Sequence, residues 1–458
     1  MNWLVFVKVV KGELSPFDEA ALETALKLRD AHGGEVIAVT MSPPTAADRM
    51  KMLTRLGVRS VLISDRAFAG SDTAATSYVL SLAAKRLAGS EYLILCGRQS
   101  IDGDTAQVGP SLAARLGITA ITNVMSLPEI TDGRVSCKTR LGDESAALPA
   151  LLTVERIAKL RFPSIRAKIG EVELLGASEL RADSTKCGLS GSPTKVLRSF
   201  ESERGRRSCV FLPKDELMAK IRELAALDVG SELQLEPSEA KLPEVIAVGE
   251  DVAAIASRIA ERVVTLDRLG ADEYVSLFNE KKPEVVLFPS DLWGRRIAPE
   301  VATRLGTGLC ADCTLLETDG SKLFMYRPAF GGRLTAKIEC RTMPQMATVR
   351  TVSESSEIIV SAGLGVKREL EAVEKFAKSL GAGLGASRGL VDAGYAPYER
   401  QVGITGRTVA PKLYIAIGIS GAVHHTAAIE GSRYIIGINP DRCAPIFDYC
   451  DFGCVDSF

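Results

Sequence analysis

The side chains best suited to chemistry lie in glycine-rich loops near the carboxyl end of this 458-residue chain. Residues 418–425 read GISGAVHH and follow the apolar stretch 413–417, so this loop joins a predicted strand to a predicted helix. Its glycines allow a ligand to approach the backbone, Ser420 offers a hydroxyl, and helix N-termini beyond parallel strands attract phosphate. A plain glycine-rich turn is the alternative, and this loop alone only slightly favours a nucleotide site.

Two more loops of similar composition precede it, at residues 385–388 (GASR) and 401–406 (QVGITG). Arg388 is a forked donor suited to a phosphate or an electron-rich ring, and Thr405 can donate or accept at a ring nitrogen. Three such loops in one region suggest a bound dinucleotide, although none carries the G-x-G-x-x-G fingerprint.

A fourth polar loop lies in the first half of the chain. Residues 97–107 (GRQSIDGDTAQ) directly follow the apolar stretch 92–96. The same residue types form solvated turns, so a nucleotide site and an ordinary surface loop both stay open here. The sequence shows no nucleophile elbow, no P-loop, no histidine pair at metal-binding helical spacing and no evident carboxylate dyad.

The ten cysteines are scattered, which does not indicate a disulfide framework. Cys310 and Cys313 have the spacing of a redox or metal pair, and Cys443, Cys450 and Cys454 cluster near the carboxyl end. A single C-x-x-C without a second pair is a weak metal signal, and unpaired cysteine is commonly a small buried hydrophobe. We therefore expect packing roles and no metal site, with a carboxyl-terminal metal site as the alternative.

Composition excludes several classes of protein. The formal net charge is −1, which gives no electrostatic reason to bind nucleic acid or an anionic membrane. No apolar run reaches the length of about 18 residues that a membrane span requires. The first residues enter an apolar stretch at 3–7 without a basic leader, so we expect a first strand and a cytoplasmic protein.

An internal repeat organises the elements that position these loops. EVIAV occurs at 35–39 and again at 244–248, and a P-x-x-A-x-R-L-G motif occurs at 110–117 and at 299–306. Short apolar strands alternate with amphipathic helices in both halves and again beyond residue 357, which predicts parallel sheets with helices on both faces. Asp18 is the predicted N-cap of the first helix.

Two stretches read as boundaries between these regions. Residues 188–207 are rich in glycine, serine and proline and then basic, which predicts an arm or a linker. Residues 351–357 are short and polar, and they separate the second half from the carboxyl-terminal region.

These motifs together resemble the electron transfer flavoproteins. The carboxyl-terminal region resembles the FAD domain of the alpha subunit, the region before it resembles the preceding alpha domain, and the first half resembles the beta subunit. The resemblance to the FAD domain is carried by residues 385–388, 391–394, 401–406, 409–414, 418–422, 438–439 and 444–447. The resemblance to the preceding alpha domain is carried by residues 327–332 and 344–350. The resemblance to the beta subunit is carried by residues 16–18, 68–73, 97–109 and 188–195.

The resemblance implies a beta and an alpha subunit fused in one chain, a monomer resembling a heterodimer. The implied fold is two adenine-nucleotide-hydrolase-like parallel-sheet domains followed by an FAD-binding Rossmann-like domain. We expect a beta-like domain with a carboxyl-terminal arm at 1–228, an alpha amino-terminal-like domain at 229–355 and the FAD-binding domain at 356–458.

The implied function is electron transport by FAD, from a flavin-dependent dehydrogenase of the acyl-CoA dehydrogenase type to a downstream redox acceptor. Such a protein is an electron carrier rather than an enzyme in the usual sense. One alternative is a two-FAD reductase that bifurcates electrons from NADH, and another is a non-redox protein that binds an adenine nucleotide.

The resemblance also implies roles for single residues. Arg388 would lie over the flavin ring, Thr405 would bond near N5, and His425 would be a positive partner near the C2 carbonyl. Ser387, Ser420 and Asn439 would hold the phosphates, the ribose or the adenine. The full expected FAD set is Ser387, Arg388, Gln401, Val402, Gly403, Ile404, Thr405, Gly418, Ser420, Gly421, Ala422, Val423, His424, His425, Asn439 and Asp456.

The resemblance implies a second nucleotide in the beta-like half, either AMP or FAD. The sequence of residues 102–107 modestly favours FAD. The expected residues for this second site are Phe6, Pro16, Phe17, Asp18, Met41, Gly97, Arg98, Gln99, Asp102, Gly103, Asp104, Thr105 and Gln107.

The chain departs from the family pattern at several places. Leu364 stands where an arginine is usual, and Ile404 and His424 each replace a glutamine. The alpha-like half lacks its first strand and helix, and the partner-reading loop near residues 158–163 is compressed. These departures bear on FAD affinity and on the choice of redox partner.

Overall fold

The computed structural model describes residues 1–201, 207–227, 240–330, 334–351, 356–403 and 406–458. The chain forms two compact units. Unit 1 comprises Met1–Ser199, Ser238–Phe330 and Ala336–Val349, and unit 2 comprises Phe200–Pro237, Gly331–Thr335 and Arg350–Phe458. The expected domain boundaries at 228/229 and 355/356 fall at residues outside the described ranges.

The first half of unit 1 alternates strands and helices from its first residues. Its elements are β1 Asn2–Phe6, β2 Val9–Val10, β3 Glu13–Leu14, α1 Pro16–His32, β4 Glu35–Met41, α2 Ala47–Thr54, β5 Arg59–Ile63, α3 Thr73–Leu87, β6 Tyr92–Gly97, α4 Val108–Leu116, β7 Thr119–Val124, β8 Glu129–Thr131, β9 Arg134–Thr139, β10 Gly142–Ala147, β11 Ala150–Val154, β12 Val172–Leu175 and α5 Ala177–Leu180.

Ten of these strands form one sheet in the order β10-β9-β7-β11-β6-β1-β4-β5-β12, with β8 paired to β9, and β2 and β3 form a separate two-stranded sheet. The strands from β7 to β12 along this order are parallel, whereas β8, β9 and β10 pair antiparallel. Alternate residues of β1 enter two separate cores, one with α1 and α2 and the other with α3 and α4. The predicted parallel sheet with helices on both faces is therefore confirmed for this half.

The second half of unit 1 repeats the pattern with fewer elements. Its elements are β13 Thr194–Glu201, β15 Leu242–Val248, α7 Glu250–Ala256, β16 Ala260–Leu266, α8 Ala271–Lys281, β17 Val285–Pro289, α9 Gly294–Leu305, β18 Leu309–Cys313, β19 Leu315–Thr318, β20 Leu323–Ala329, β21 Leu334–Cys340 and β22 Gln345–Val349. Between β13 and β15 the chain forms β14 Val210–Phe211 and α6 Lys214–Ala226, which belong to unit 2.

The strand order of the second half shows what it lacks. Its parallel sheet runs β16-β15-β17-β22-β18, and a separate four-stranded sheet runs β13-β21-β20-β19. β15, which carries the repeated EVIAV motif, pairs directly with β17. In the first half β1 lies between the matching strands β4 and β6. Among the residues that the structure describes, the second half therefore has no counterpart of β1 in its sheet.

Two expectations about local structure are wrong. The N-cap of α1 is Ser15, whose hydroxyl accepts a hydrogen bond from the Asp18 backbone N–H, and Pro16 is the first helical residue. Asp18 instead lies in the first turn. The predicted linker at 188–207 contains strand β13, because its second part pairs with β21; residues 202–206 lie outside the described ranges.

Unit 2 is built on a parallel sheet of six strands in the order β14-β27-β26-β25-β23-β24. One face packs against α6 and α10, and the other covers a core that includes Tyr414 and Phe447. The remaining elements of unit 2 are β23 Ile358–Ala362, α10 Leu370–Ser379, β24 Gly383–Ala386, α11 Arg388–Asp392, β25 Leu413–Ile417, α12 Val423–Thr426, β26 Tyr434–Ile438 and β27 Phe452–Cys454.

The segment that supplies β14 and α6 is bound tightly into unit 2. The buried Lys412 ammonium donates to the carbonyl oxygens of Ala225 (3.1 Å) and Leu227 (2.7 Å) at the end of α6, and it pairs with Glu357. Lysine at a helix carboxyl end is favoured there by the helix dipole. Across the described ranges, no helix combines the length and the apolar character needed to cross a bilayer.

Candidate functional site

The chain of unit 2 reverses direction across its sheet between β23 and β25. From β23 it moves outward to β24, and it then returns past β23 to β25 and on to β26 and β27. Ligands of open parallel sheets bind outside the carboxyl ends of the strands at such a reversal. The loops that follow β23, β24, β25, β26 and β27 all meet at this edge of the sheet, and they carry the described part of the expected FAD set.

Glycine is required where the loops after β23 and β25 touch. A Cβ atom on Gly363 would stand 2.0 Å from the Gly418 carbonyl oxygen, closer than any real contact. Gly418 has φ of 63°, in the left-handed region, and its N–H donates to the Ile438 carbonyl oxygen at 2.9 Å. The two loop backbones therefore touch at the reversal point, with no side chain between them.

The loop 418–425 continues from this point into the short helix α12. The Ser420 side chain is exposed at the edge, and Gly421 packs against the backbone of Ile446. Ala422 is the residue before α12, Val423 begins it, and His424 is exposed.

His425 is buried and both of its ring nitrogens have hydrogen-bond partners. Nδ1 lies 3.0 Å from the Val402 carbonyl oxygen, and Nε2 lies 2.9 Å from the Tyr414 hydroxyl. Burial lowers the pKa of the imidazole to about 4, so His425 is neutral at pH 7. This differs from the positive partner that the family resemblance implies.

The loops after β24 flank the reversal point. Ser387 caps α11 by accepting from the Leu390 N–H, and Arg388 begins that helix with its Nε 3.1 Å from Asp392. Gln401 forms a bridge with Ala386 and is fully buried, with Val402 and Gly403 buried beside it. Ile404 and Thr405 lie outside the described residues.

Two more expected residues lie on the loops after β26 and β27. Asn439 is buried, and its side-chain amide donates to the Ile419 carbonyl oxygen at 2.9 Å, which ties the loop after β26 to the loop after β25. Asp456 is exposed beyond β27. Leu364, at the position of the usual arginine, is exposed in the loop after β23.

The expected second site lies at the equivalent edge of the first half. The chain passes from β5 back across β1 to β6, so the reversal point lies between β1 and β6. Phe6, Met41 and Gly97 are the last residues of the three adjacent strands β1, β4 and β6. Pro16 and Phe17 open helix α1, and the Phe17 ring lies 5.3 Å from the Arg98 guanidinium carbon.

Asp18 joins three segments at this edge. Its carboxylate accepts hydrogen bonds from the Lys8 N–H (3.2 Å), the Ser15 hydroxyl (3.0 Å) and the Gly97 N–H (3.2 Å). Burial outweighs these bonds and raises the pKa of Asp18 to about 6. A Cβ atom on Gly97 would stand 2.6 Å from an Asp18 oxygen, so β6 and α1 touch through a glycine.

Buried charges continue from this edge into the loop 97–107. Arg98 donates to Glu155 (3.2 Å) and to Gln99 (2.6 Å), and Gln99 donates to Asp104 (3.0 Å). Arg140 also donates to Glu155, so one buried carboxylate faces two arginines. The Arg98 Nε is buried and makes no hydrogen bond to the described residues.

The remaining residues of the second set bind the two halves of unit 1 to each other. Gln107 donates to the Leu309 carbonyl oxygen at 3.2 Å and accepts from the Thr73 hydroxyl at 2.7 Å. Arg327 donates to the Gly103 carbonyl oxygen. Asp102 forms an ion pair with Lys8, and the Thr105 hydroxyl lies 3.5 Å from the Gln107 N–H.

Sequence reasoning missed Tyr414, Glu155 and Arg140. Tyr414 reads as an ordinary strand residue, and Glu155, which accepts from both Arg98 and Arg140, lies 57 residues beyond Arg98. Their roles depend on contacts that no local pattern signals.

Cys310 and Cys313 pack in the core of the second half, as expected. Cys450 and Cys454 are buried, and Cys443 is exposed. Over the described ranges, no three His, Cys, Asp or Glu side chains are grouped as metal ligands.

The sequence matches two profiles of known families. The profile described as "Electron transfer flavoprotein domain" matches residues 3–180 and 243–373, and the profile described as "Electron transfer flavoprotein FAD-binding domain" matches residues 353–430. The first covers well over half of the chain. The chain therefore belongs to the electron transfer flavoprotein family.

Individual relatives agree with this assignment. The chain is 36% identical over 290 residues to the electron transfer flavoprotein subunit alpha of Thermoanaerobacterium thermosaccharolyticum, which covers 52% of this chain and 88% of that protein. It is 39% identical over 230 residues to protein FixA of Azorhizobium caulinodans, over 45% of this chain and 82% of that protein. It is 34% identical over 296 residues to the acryloyl-CoA reductase electron transfer subunit beta of Anaerotignum propionicum, over 45% of this chain and 81% of that protein.

These matches establish the function expected from the sequence. The chain is an electron transfer flavoprotein with an FAD-binding carboxyl-terminal domain. They do not favour the NADH-dependent bifurcating reductase. The residues described at the edge of unit 2 fit a dinucleotide, because bare backbone, a capped helix start and an arginine meet at the reversal point of a parallel sheet.

Proposed function

We propose that this chain is a beta-like and an alpha-like subunit in one polypeptide, carrying electrons through FAD from a dehydrogenase to a downstream acceptor. Two observations support the fusion: the family domain matches twice in succession, and the chain resembles both FixA and an alpha subunit. The three-domain division at 1–228, 229–355 and 356–458 belongs to this proposal, as do a monomeric state and a cytoplasmic location.

The contact between Gly363 and Gly418 carries the proposal for the FAD site. It lies at the reversal point of the unit 2 sheet, where only glycine can be accommodated. In our proposal FAD binds across this edge, with the pyrophosphate near the loops that hold Ser387 and Ser420 and the flavin toward Arg388. Gln401, Val402, Gly403, Ile404, Thr405, Gly421, Ala422, Val423, His424, Asn439 and Asp456 complete the set.

The bound FAD supplies the one- and two-electron redox chemistry, and the chain supplies binding, orientation and electrostatics. Asn439 would fix the two loops that follow β25 and β26 relative to each other. The neutral His425 would hold the 401–403 segment rather than add a positive charge. Arg388, which forms an ion pair with Asp392, would then be the main cation near the flavin.

Two glycine substitutions test this site. Gly363→Ala places a methyl group against a carbonyl oxygen and should abolish FAD binding, because neither backbone can move without breaking the sheet edge. Gly389→Ala is the matched control, since its Cβ would meet only Leu364 at an ordinary 3.8 Å. Equilibrium dialysis with FAD reads the result, and equal affinity in both variants would contradict the proposed position.

A second nucleotide, FAD or AMP, is proposed at the edge of the first half. The buried Arg98 Nε, which makes no hydrogen bond to the described residues, favours an anionic or electron-rich ligand there. Chromatography of the nucleotides released from the purified chain tests this. Two FAD per chain, or one FAD with one AMP, supports the site; one FAD alone rejects it, and no FAD rejects the whole proposal.

Partner docking is proposed at residues 156–169, which include the compressed loop near 158–163. This segment holds five basic residues and no acidic one, and its Phe162 and Ile165 side chains are 96% and 97% exposed. Arg161 fastens it to helix α1 through Glu23 and Asp30. An acidic surface with an apolar pocket, on a dehydrogenase of the acyl-CoA type, would be complementary.

Flavin reduction by a purified acyl-CoA dehydrogenase and its substrate tests this docking site. Phe162→Ser should slow the bleaching of the bound FAD at least tenfold, because exposed aromatic anchors dominate interface energies. Leu174→Ser, an exposed apolar residue on the edge strand β12, is the control. Equal rates in the two variants would place docking elsewhere.

A further inference from the structure

The hydrogen bonds of His425 admit one arrangement of protons. A carbonyl oxygen can only accept, so Nδ1 must carry the proton that is donated to the Val402 oxygen. In a neutral imidazole Nε2 is then an acceptor, and its partner at 2.9 Å, the Tyr414 hydroxyl, must donate. Val402 in turn donates its N–H to the Ala386 carbonyl oxygen at 2.8 Å, at the end of β24.

Tyr414 is well placed to keep this arrangement. It belongs to β25, pairs with Ile359 and Ile435 on either side, and is fully buried in the core that also contains Val402 and Ile419. A strand residue between two neighbours has little freedom to move its ring. The chain Tyr414–His425–Val402 therefore links the middle of the sheet to the segment 401–403.

Few charged or titratable groups face this chain. Arg407 and Cys450 influence Tyr414 electrostatically, Ser361 lies close to its hydroxyl, and burial raises the pKa of the phenol well above its usual value. Burial likewise lowers the pKa of His425. Both groups are therefore neutral across the physiological range, and the link between them is a hydrogen bond rather than an ion pair.

We propose that Tyr414 is a positioning residue that fixes the tautomer and ring orientation of His425 and so holds the 401–403 segment at the FAD edge. The proposal rests on the assignment of that edge to FAD. Without the hydroxyl, the buried Nε2 loses its donor, and an uncompensated acceptor in an apolar core is costly. The ring then turns or changes tautomer, Nδ1 no longer donates to Val402, and the segment loses its anchor.

The unmodified chain gives the first test, because it contains only three histidines and the other two, His32 and His424, are exposed. Nitrogen NMR of the full chain labelled in histidine, with FAD removed, should show one ring that stays neutral down to pH 5 with the proton on Nδ1. A neutral ring with its proton on Nε2, or three rings that all titrate near pH 6.5, would overturn the proposal.

The variant Tyr414→Phe supplies the second test. It should convert the His425 signals into a mixture of tautomers and weaken FAD binding about tenfold, a change typical of one buried group left unpaired. Tyr434→Phe is the matched control, because Tyr434 lies in the neighbouring strand β26 and packs in the core on the other face of the sheet. Unchanged tautomer signals in Tyr414→Phe would refute the role of the hydroxyl.

The two tests separate this inference from the FAD assignment. The tautomer is read from the protein without flavin, so a proton on Nε2 rejects Tyr414 as the donor even if Tyr414→Phe does not fold. Another outcome is the expected tautomer together with the same FAD affinity in Tyr414→Phe and Tyr434→Phe. In that case Tyr414 orients His425, but the claim that this orientation supports FAD binding is rejected.

Discussion

The two halves of unit 1 share a scaffold in detail but differ at the edge where a ligand would bind. In both halves a strand near the end of the sheet carries a bulge with a residue in the left-handed region, Asn123 and Asp312, each with φ of 58°. The N–H of each donates to a threonine hydroxyl on the neighbouring strand, Thr153 and Thr348. The repeat is therefore physical as well as sequential.

The difference lies in β1 and α1, for which the described part of the second half has no counterpart. They bring Ser15, Phe17 and Asp18 to the carboxyl ends of β1 and β6, where a nucleotide is proposed. In the second half β15 pairs directly with β17, and the polar groups at that edge satisfy each other: Arg295 donates to the Ser290 carbonyl oxygen and pairs with Asp312 at 3.0 Å. The presence of β1 and α1 thus distinguishes the first half, which has a candidate nucleotide site, from the second half, whose corresponding edge is closed by its own polar groups.

The largest effect is expected where β6 touches α1. Gly97→Ala places a methyl group 2.6 Å from an Asp18 carboxylate oxygen and 2.8 Å from the backbone atoms of Asp18 and Phe17. We expect this clash to lower the free energy of unfolding by about 3 kcal/mol and to abolish binding of the second nucleotide. Gly270→Ala, before α8 in the second half, meets only a flexible Glu273 side chain and serves as control. Denaturant midpoints and nucleotide content give the measurement; similar losses in both variants would mean that the contact is not special.

The pH dependence of stability should also differ between the halves. The pKa of Asp18 is about 6 in the folded chain and near 3.8 in the unfolded chain, so the folded chain binds this proton more tightly. The stabilisation is fully present below about pH 3.8 and is lost as pH rises through about 6, by about 3 kcal/mol in total. Asp18→Asn should flatten this slope, while the exposed Asp251→Asn in α7 should leave it; a persistent slope in Asp18→Asn would assign it to another group.

The ion pairs of Arg161 with Glu23 and Asp30 of α1 have no equivalent in the described part of the second half, because no helix there corresponds to α1. Arg161→Gln removes the bonds to Glu23 and Asp30 and should cost about 1–2 kcal/mol of stability while slowing flavin reduction by a dehydrogenase several-fold. Arg166→Gln removes the same charge from an exposed position of the segment. If both variants slow the reaction equally, charge rather than positioning explains the effect.

The smallest effects should be equal in the two halves. Thr153→Val and Thr348→Val each delete one buried hydroxyl that accepts from the bulge N–H, and each should cost about 1 kcal/mol. Thermal or denaturant unfolding of the two variants tests whether the bulges are equivalent. A clear inequality would show that the repeat has diverged energetically.

Much of the fold was predictable because short strands buried on both faces read as apolar runs. The predicted strands at 413–417 and 434–438 have those bounds in the structure. The N-cap was missed because Ser15 and Asp18 are both good caps, although Pro16 after Ser15 distinguishes them. Strand β13 was missed because its pairing partner, β21, lies far along the chain.

For the candidate sites, residue types and loops were predictable, whereas partners were not. The loop 418–425 is recognisable by its glycines, but the neutral state of His425 depends on its burial in the folded domain. The same holds for Arg98, whose acidic partner Glu155 comes from the end of the distant strand β11. Local patterns identify the loops at strand ends, and only the assembled sheet decides which charges meet there.

The place of β14 and α6 in unit 2 has a consequence for how the chain is made. Arg207 and Asp451, which are joined by an ion pair beside β14, lie 244 residues apart in sequence. On a ribosome the first half can fold early, but this segment must wait for nearly all of the remaining chain before its sheet exists. Contacts of such long range close slowly. Completion of the flavin domain is thus deferred to the end of synthesis, when every other part of the molecule is already present.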